Sequence, residues 1–341
     1  MSSPPDRFDR QRRFAPFGDE GQRAVEAARV LIVGCGATGG VLAQELVRAG
    51  VGEIVLVDRD IVELTNLPRQ VLFDQRHAET GALKVEAARE SLERIGGPTR
   101  LITHADHLDA ENLAEYAEGC SLVLDGTDNL PTRYLLNDFC VERGLPWIYS
   151  GVVGSSGLVL PIFPGKSACL RCLFPEPPPP GTLETCDSAG VLLPAVAAVG
   201  SIASGLALRI LAAREGDELV ANLISIDTWH SDLRSLSAEQ REDCPACVGR
   251  EFPFLHAPSG RRPVSLCGRN TVQIPGSGSR PDFSALRTRL EGTVRDWTDL
   301  GPMLRFSVDE FRITLFGDGR ALIEGTDEVD RARAVYDRLL G

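Results

Sequence analysis

Apolar residues along the first half of the chain alternate between short unbroken runs and longer stretches with helical spacing. Residues 29–33, 53–57 and 122–125 are apolar apart from one charged end residue each, the pattern of strands covered on both faces. Further strands are expected near 100–103, 147–150 and 157–163, with amphipathic helices at 38–49, 82–95, 110–116 and 130–143 between them. This alternation predicts an α/β fold, Rossmann-like and doubly wound, with a mostly parallel sheet. Residues 264–274, 304–308, 311–316 and 320–324 read as later strands and 283–290 and 328–340 as helices, with a hairpin signal at Asp318-Gly319. They predict a small C-terminal α+β domain. The expected division is 1–255 for the first domain, 256–263 for a linker and 264–341 for the second. No internal repeat is evident.

Two segments interrupt the rhythm. Residues 191–208 carry no charge over eighteen positions, near the lower limit of a membrane span. Pro194, Gly200, Ser201, Ser204 and Gly205 dilute its hydrophobicity and Arg209 closes it, so a buried core or dimer-interface helix is expected. Residues 174–183 hold five prolines and a glycine and predict an exposed, mobile loop.

Composition narrows the functional classes. With 341 residues, 43% of them apolar, the chain can bury one large core and one small one. A net charge of −12 and a pI near 5.0 argue against a nucleic-acid partner, which would need a basic footprint. The N-terminus is polar, without the apolar core of a signal peptide, so a cytoplasmic protein with no membrane partner is expected. Nine cysteines are scattered without a disulfide pattern. Four form two C-x-x-C pairs, Cys169/Cys172 and Cys244/Cys247, the ligand set of a closed tetrahedral zinc site. With all four positions filled, such a zinc is structural; unligated thiols or a redox pair are the alternatives.

The densest chemistry lies between residues 30 and 84. Gly34-x-Gly36-x-x-Gly39 follows a strand and opens a helix, where glycines permit a tight turn and close approach of phosphate to a helix N-terminus. Asp58 ends the next strand about twenty residues on, the usual place of a ribose-hydroxyl acceptor, with Asp60 just beyond. These features alone do not choose between NAD, FAD and ATP. Asn66, Arg69, Gln70 and Lys84 follow in order, and cationic and amide groups there suit the β- and γ-phosphates of a triphosphate. The segment Asp125-Gly126-Thr127-Asp128-Asn129 ends another expected parallel strand and should face the same crevice. Asp128 is a candidate Mg²⁺ ligand, with capping of the next helix as its alternative role; Asn129 joins the candidate nucleotide contacts. Cys186, between the proline-rich loop and the long apolar helix, is a candidate acyl-accepting nucleophile or a plain buried thiol. Gly165-Lys166-Ser167 imitates a P-loop, but Leu160 stands where the first glycine belongs; a turn is expected.

Taken together these residues resemble the ThiF/MoeB/HesA family, bacterial relatives of ubiquitin-activating enzymes, over about Arg7 to Cys247. Arg7-Phe8-Asp9-Arg10-Gln11 is similar to the family's R-Y-x-R-Q. The resemblance implies that Arg10 reaches the ATP of a homodimer partner, that Gly36 and Gly39 line the nucleotide and that Asp58 takes the ribose. It further implies that Asn66, Arg69 and Lys84 contact the triphosphate and that Asp128 holds magnesium. Thr185-Cys186-Asp187-Ser188-Ala189-Gly190-Val191 resembles the family's T-C-x-x-A-G-V and strengthens Cys186 as the sulfur- or acyl-handling cysteine. The implied activity is ATP-dependent adenylylation of the C-terminal Gly-Gly of a ubiquitin-like sulfur carrier, with sulfur then supplied by a donor such as a cysteine desulfurase. The tail after Cys247 departs from the best-known pattern and has no rhodanese-like loop; Cys267-Gly268-Arg269 does not match one. Two alternatives stand beside this reading. An NAD-dependent dehydrogenase explains the glycines and Asp58 but leaves Arg10, Asn66, Arg69, Lys84 and the cysteine pairs without a role. A non-catalytic scaffold of the same fold need not keep the phosphate-contact positions.

Overall fold

The apolar blocks assemble into one eight-stranded sheet. In chain order its strands are β1 (Arg29–Val33), β2 (Glu53–Val57), β3 (Arg100–His104), β4 (Leu122–Asp125), β5 (Trp147–Val153), β6 (Ser156–Ile162), β7 (Leu223–Asp227) and β8 (Asp232–Leu236). Their order across the sheet is β3-β2-β1-β4-β5-β6-β7-β8. The computed structural model describes residues 6–178, 186–214, 216–256, 264–266, 270–276, 281–299, 303–317 and 319–340. The chain divides into two units, Met1–Ala257 and Pro258–Gly341.

The parallel pattern holds for β3, β2, β1, β4 and β5. From β5 onwards the pairs are antiparallel, so the mostly parallel sheet expected from sequence is parallel in only part of its width. The reason is connection length. Val153 pairs with Ser156, and the two residues between them suffice for a hairpin but not for a crossover of a dozen or more. Gly154 turns there at φ +63°. Strands β7 and β8 were not foreseen; their mixed polar sequence fits a poorly covered edge, and Leu233 and Leu236 are exposed.

The helices Ala37–Ala49, Lys84–Ile95 and Leu130–Arg143 form where expected, whereas the one expected from 110 shortens to Leu113–Tyr116. Five short α-helices among the described residues are not expected from the sequence: Asp9–Arg12, Gly18–Ala27, Gln75–Thr80, Leu170–Leu173 and Cys186–Ala189. The long apolar segment is a helix, Leu193–Leu211, with Ala195, Val196, Val199, Ala203 and Ala207 buried. It packs on Ala37–Ala49 and on β5 and β6. Gly200 permits the approach, since a Cβ there would meet Val41 Cγ1 at 2.6 Å. Of the proline-rich loop, residues 179–183 lie outside the described residues.

The second unit is a six-stranded antiparallel sheet, β9 (Val264–Leu266), β10 (Thr271–Ile274), β11 (Arg295–Asp299), β12 (Met303–Val308), β13 (Phe311–Phe316) and β14 (Ala321–Glu324), in the order β11-β12-β13-β14-β10-β9. Helices Phe283–Arg289 and Val329–Leu340 share its core with Phe306, Ile313 and Ile323. The single strand expected over 264–274 is in fact two, paired antiparallel, and β11 was missed. The β13–β14 turn is closed by Phe316 N–H donating to Arg320 C=O at 2.8 Å, with Gly319 at φ +85°; Asp318 lies outside the described residues.

Candidate active site and cysteine cluster

Strands β1, β2 and β4 are parallel, and Val33 pairs with both Val57 and Asp125, so the loops that follow leave the sheet at one edge. The chain order reverses at β1, with β2 on one side and β4 on the other, the kind of switch point at which α/β sheets hold ligands. Gly34 N–H donates to Val57 C=O and Gly126 N–H to Val33 C=O, both at 2.8 Å. Gly34 has φ +87°. A Cβ on Gly39 would lie 1.8 Å from Gly34 O, and one on Gly126 would lie 2.6 Å from the same atom. Gly39 therefore serves helix–loop packing as well as standing at the start of the helix. Gly36 is different: a Cβ there would meet only the Gln70 carboxamide, at 3.5 Å from Nε2.

Asp58 is held from two sides. Its Oδ2 accepts from Cys35 N–H at 2.7 Å and its Oδ1 from Asp60 N–H at 2.8 Å. Burial raises its carboxyl pKa, against the pull of Lys84. Burial also pushes the neighbouring Cys35 thiol well up, helped by the Asp58 charge. Lys84 begins its helix and is itself buried; its Nζ meets Asp60 Oδ2 at 3.0 Å.

Asn66, Arg69 and Gln70 sit on a tight turn. Asn66 is buried, and its Oδ1 accepts from Glu63 N–H at 3.0 Å. Gln70 N–H donates to Asn66 C=O at 2.9 Å. Arg69 is half-buried and donates from Nη1 to Thr65 C=O at 2.7 Å. Gln70 is buried against Gly36, and its Oε1 has no hydrogen-bond partner among the described residues. A buried amide oxygen left open beside a glycine turn fits a site that is completed by a ligand.

On the β4 side the structure supplies residues that sequence reasoning missed. Asp125 is fully buried and accepts from Thr127 N–H at 2.8 Å, Thr127 Oγ1 at 2.7 Å and Arg133 Nε at 3.0 Å. Arg133 also donates to Thr127 C=O at 2.6 Å and Ser150 C=O at 2.9 Å. Burial raises the Asp125 pKa and works against the Arg133 charge, yet Asp125 keeps the Arg133 pKa above its ordinary value. With these donors converging on one carboxylate, the pair is ionised. It fixes the 126–129 loop. Arg133, a lone cation early in an apolar helix, was the available signal. Asp128 is exposed at the loop tip. It is not the helix cap: Asn129 is, its Oδ1 accepting from Thr132 N–H at 2.9 Å.

Two further expected site residues lie on other elements. Arg10 is exposed, with no hydrogen bond or ion pair among the described residues, while Arg7, Gln11 and Arg12 bind their own chain. Cys186 opens the short Cys186–Ala189 helix; its side chain lies outside the described residues. Gly165-Lys166-Ser167 forms a turn, as expected, with Lys166 N–H donating to Phe163 C=O at 2.9 Å.

The four pair cysteines do converge. Their sulfurs all lie within 4.8 Å of one another, with contacts of 3.7 Å (Cys169–Cys244), 3.9 Å (Cys169–Cys172) and 3.8 Å (Cys172–Cys247). A tetrahedron with metal–sulfur bonds of about 2.3 Å has edges of about 3.8 Å, so the donor set fits a closed thiolate site. The Leu130–Arg143 helix anchors the first pair: Leu170 N–H donates to Asn137 Oδ1 at 2.9 Å, and Arg171 pairs with buried Asp138 at 3.3 Å. Arg171 also donates to Glu251 C=O at 2.8 Å, and Phe254 N–H to Asp138 at 3.1 Å, tying in the segment after the second pair.

This arrangement has close relatives. A sulfur carrier protein ThiS adenylyltransferase of Bacillus subtilis is 37% identical over 339 residues, 98% of this chain and 99% of the relative. A sulfur carrier protein adenylyltransferase of Thermus thermophilus is 37% identical over 249 residues, 71% of this chain and 90% of that one. Among solved structures, E. coli MccB with ATP shares the fold, with a TM-score of 0.60 at 22% identity, over 72% of this chain and 75% of that one. The model of the ThiF family matches residues 8–246, so the chain belongs to the ThiF family.

Proposed function

We propose that the chain is an ATP-dependent adenylyltransferase acting on the C-terminal glycine of a ubiquitin-like sulfur carrier of the ThiS type. The convergence of the Gly34–Gly36 turn, Asp58, the Asn66–Gln70 turn, Lys84 and the Asp128 loop at one sheet edge carries this reading. The likeness to the Bacillus subtilis protein extends across the C-terminal unit, which favours a ThiS-type carrier and thiamine thiazole sulfur over molybdopterin.

Asp58 takes the ribose, and the Gly36 turn takes phosphate at the N-terminus of Ala37–Ala49. Asn66, Arg69, Gln70 and Lys84 bind the β- and γ-phosphates and offset charge on departing pyrophosphate. Asp128, exposed and free of the capping role, holds Mg²⁺, whose chemistry is to neutralise phosphate charge. The carrier's terminal carboxylate attacks the α-phosphate, giving the acyl-adenylate and pyrophosphate. It is already ionised, so no general base is required, and catalysis is positioning plus charge stabilisation. Arg10, on the surface of its own subunit, completes the phosphate site of a partner in a homodimer. The cysteine cluster holds a structural zinc, and Cys186 either receives sulfur from a donor such as a cysteine desulfurase or accepts the carrier's acyl group from the adenylate, with AMP leaving. A dehydrogenase role leaves the phosphate-side cations unexplained and has no support among the relatives.

The test is ATP–pyrophosphate exchange by the purified protein with sulfur carriers supplied one at a time. Exchange dependent on a ThiS-type carrier is the expected result. Zinc-loaded, folded protein that exchanges with no carrier, and binds NADH instead, refutes it.

A further inference from the structure

Of the 36 cationic residues in the chain only two are lysines, Lys84 and Lys166. Lys166 lines a cleft with Ala28, Ser121 and Pro146, which directly precede β1, β4 and β5. It therefore sits at the sheet edge opposite the crevice, and Lys84 is the lysine of the crevice. An amine beside an acyl-adenylate is a chemical hazard: neutral, it attacks the activated carbonyl, while as ammonium it has no lone pair to offer. Arginine poses no such hazard, being charged at every working pH.

Asp60 engages Lys84 through both main chain and side chain. Lys84 N–H donates to Asp60 C=O at 2.9 Å, and Lys84 Nζ meets Asp60 Oδ2 at 3.0 Å. Ile61 bridges to Leu83, and Val62 N–H donates to Ala82 C=O at 2.8 Å, so the two segments are laced together. Other groups around Lys84 are Asp58 from the end of β2 and the buried Cys35 of the glycine turn. Arg59 approaches Asp60 Oδ1 at 3.8 Å. The Lys84 side chain is only 5% exposed, so water does little to stabilise its charge.

We propose that Asp60 is a positioning residue that holds Lys84 as a fixed ammonium, available to phosphate and unable to attack the activated carrier. The inference rests on the proposed reading of the crevice. Replacing the Asp60 carboxylate removes the counter-charge in contact with Lys84 Nζ and leaves the more distant Asp58 to oppose burial, so the neutral amine becomes more accessible. That amine attacks the acyl carbon of the carrier adenylate. A C–N bond forms, the bond from that carbon to the phosphate oxygen breaks, AMP leaves with the electron pair and the amine proton passes to solvent. The product is an isopeptide between carrier and Lys84.

The experiment compares the wild-type protein with Asp60→Asn, Asp60→Glu and the double variant Asp60→Asn/Lys84→Arg. Carrier-dependent ATP–pyrophosphate exchange is followed from about pH 6.5 to about pH 9, with intact-mass and peptide analysis of the enzyme after turnover. For Asp60→Asn the expected loss grows with pH, by about tenfold or more across that range, and an enzyme–carrier adduct maps to residue 84. Asp60→Glu and the double variant are expected to remove the pH-dependent part of the loss and the adduct, at whatever rate each retains. A loss in Asp60→Asn that is equal at every pH, without adduct, overturns the proposal. So does a pH-dependent loss that survives Lys84→Arg. A wild-type protein silent with every carrier refutes the adenylation reading instead, which keeps the two failures distinguishable.

Discussion

Two glycines of one motif are expected to respond oppositely to the same added methyl group. A Cβ on Gly39 would sit 1.8 Å from Gly34 O, whereas real Cβ contacts do not fall below 3.0 Å. The Ala37–Ala49 helix must then retreat by roughly 1.2 Å, and a displacement near 1 Å of a positioned group costs about 10²-fold in rate. Overpacking of this kind also costs about 1–3 kcal/mol of stability. On Gly36 the same methyl meets Gln70 Nε2 at 3.5 Å, an ordinary contact. Gly36→Ala should cost less stability than Gly39→Ala, yet weaken ATP binding, because on the proposed reading it fills the side of the turn that receives phosphate. Urea unfolding and ATP titration of the two variants separate the cases. A Gly39→Ala protein as stable as wild type, or a Gly36→Ala protein that binds ATP unchanged, would show that these glycines are not divided between packing and binding.

Three further outcomes are expected. Asp128→Ala should abolish carrier-dependent exchange while the unfolding midpoint stays put, because its side chain is exposed; an active, folded variant removes Asp128 from magnesium binding. Asn129→Ala removes the cap that accepts from Thr132 N–H and should cost about 1 kcal/mol in denaturant unfolding; no change would mean that the helix start is held by other contacts. Cys244→Ala should lose bound zinc by metal analysis and unfold more readily, and full zinc occupancy in that variant would dissolve the four-cysteine site.

Much of the crevice was legible because its parts are local. Gly34, Asp58 and Asp128 each lie at or just past the end of an apolar block, and parallel pairing alone brings those ends together. The cysteine cluster was legible through spacing, since two C-x-x-C pairs leave few other uses for four thiols. What escaped was set by partners far away in the chain. Gly39 looks like Gly36 in sequence, and only the closeness of Gly34 and Gly126 separates their roles. Asp128 and Asn129 are both capping residues by type; the backbone path of the loop gives the cap to Asn129. The antiparallel extension β6–β8 was half hidden because β7 and β8 are poorly covered and lack a strong apolar rhythm.

The Leu130–Arg143 helix links the two sites mechanically. Ten of its residues are buried, so it cannot rotate to relieve a changed contact. Near its start Arg133 holds Asp125 and the crevice loop; further along, Asn137 and Asp138 hold Leu170 and Arg171 beside the first cysteine pair. Burial raises the Asp138 carboxyl pKa, against Phe254 N–H and the Arg171 charge. Removing one partner of such a buried pair costs about 3–5 kcal/mol, since the other is left uncompensated. Asp138→Asn should therefore strand Arg171, loosen the loop that carries Cys169 and Cys172, and speed the loss of zinc to a chelator. Arg133, the helix partner of Asp125, sits more than a helical turn before Asp138 on the same helix, so crevice function should fall only to the extent that the helix itself shifts. Chelator-driven metal release measured beside exchange activity tests this. Unchanged zinc retention in Asp138→Asn would mean that the cysteines hold their own loop, and that the helix only packs against it.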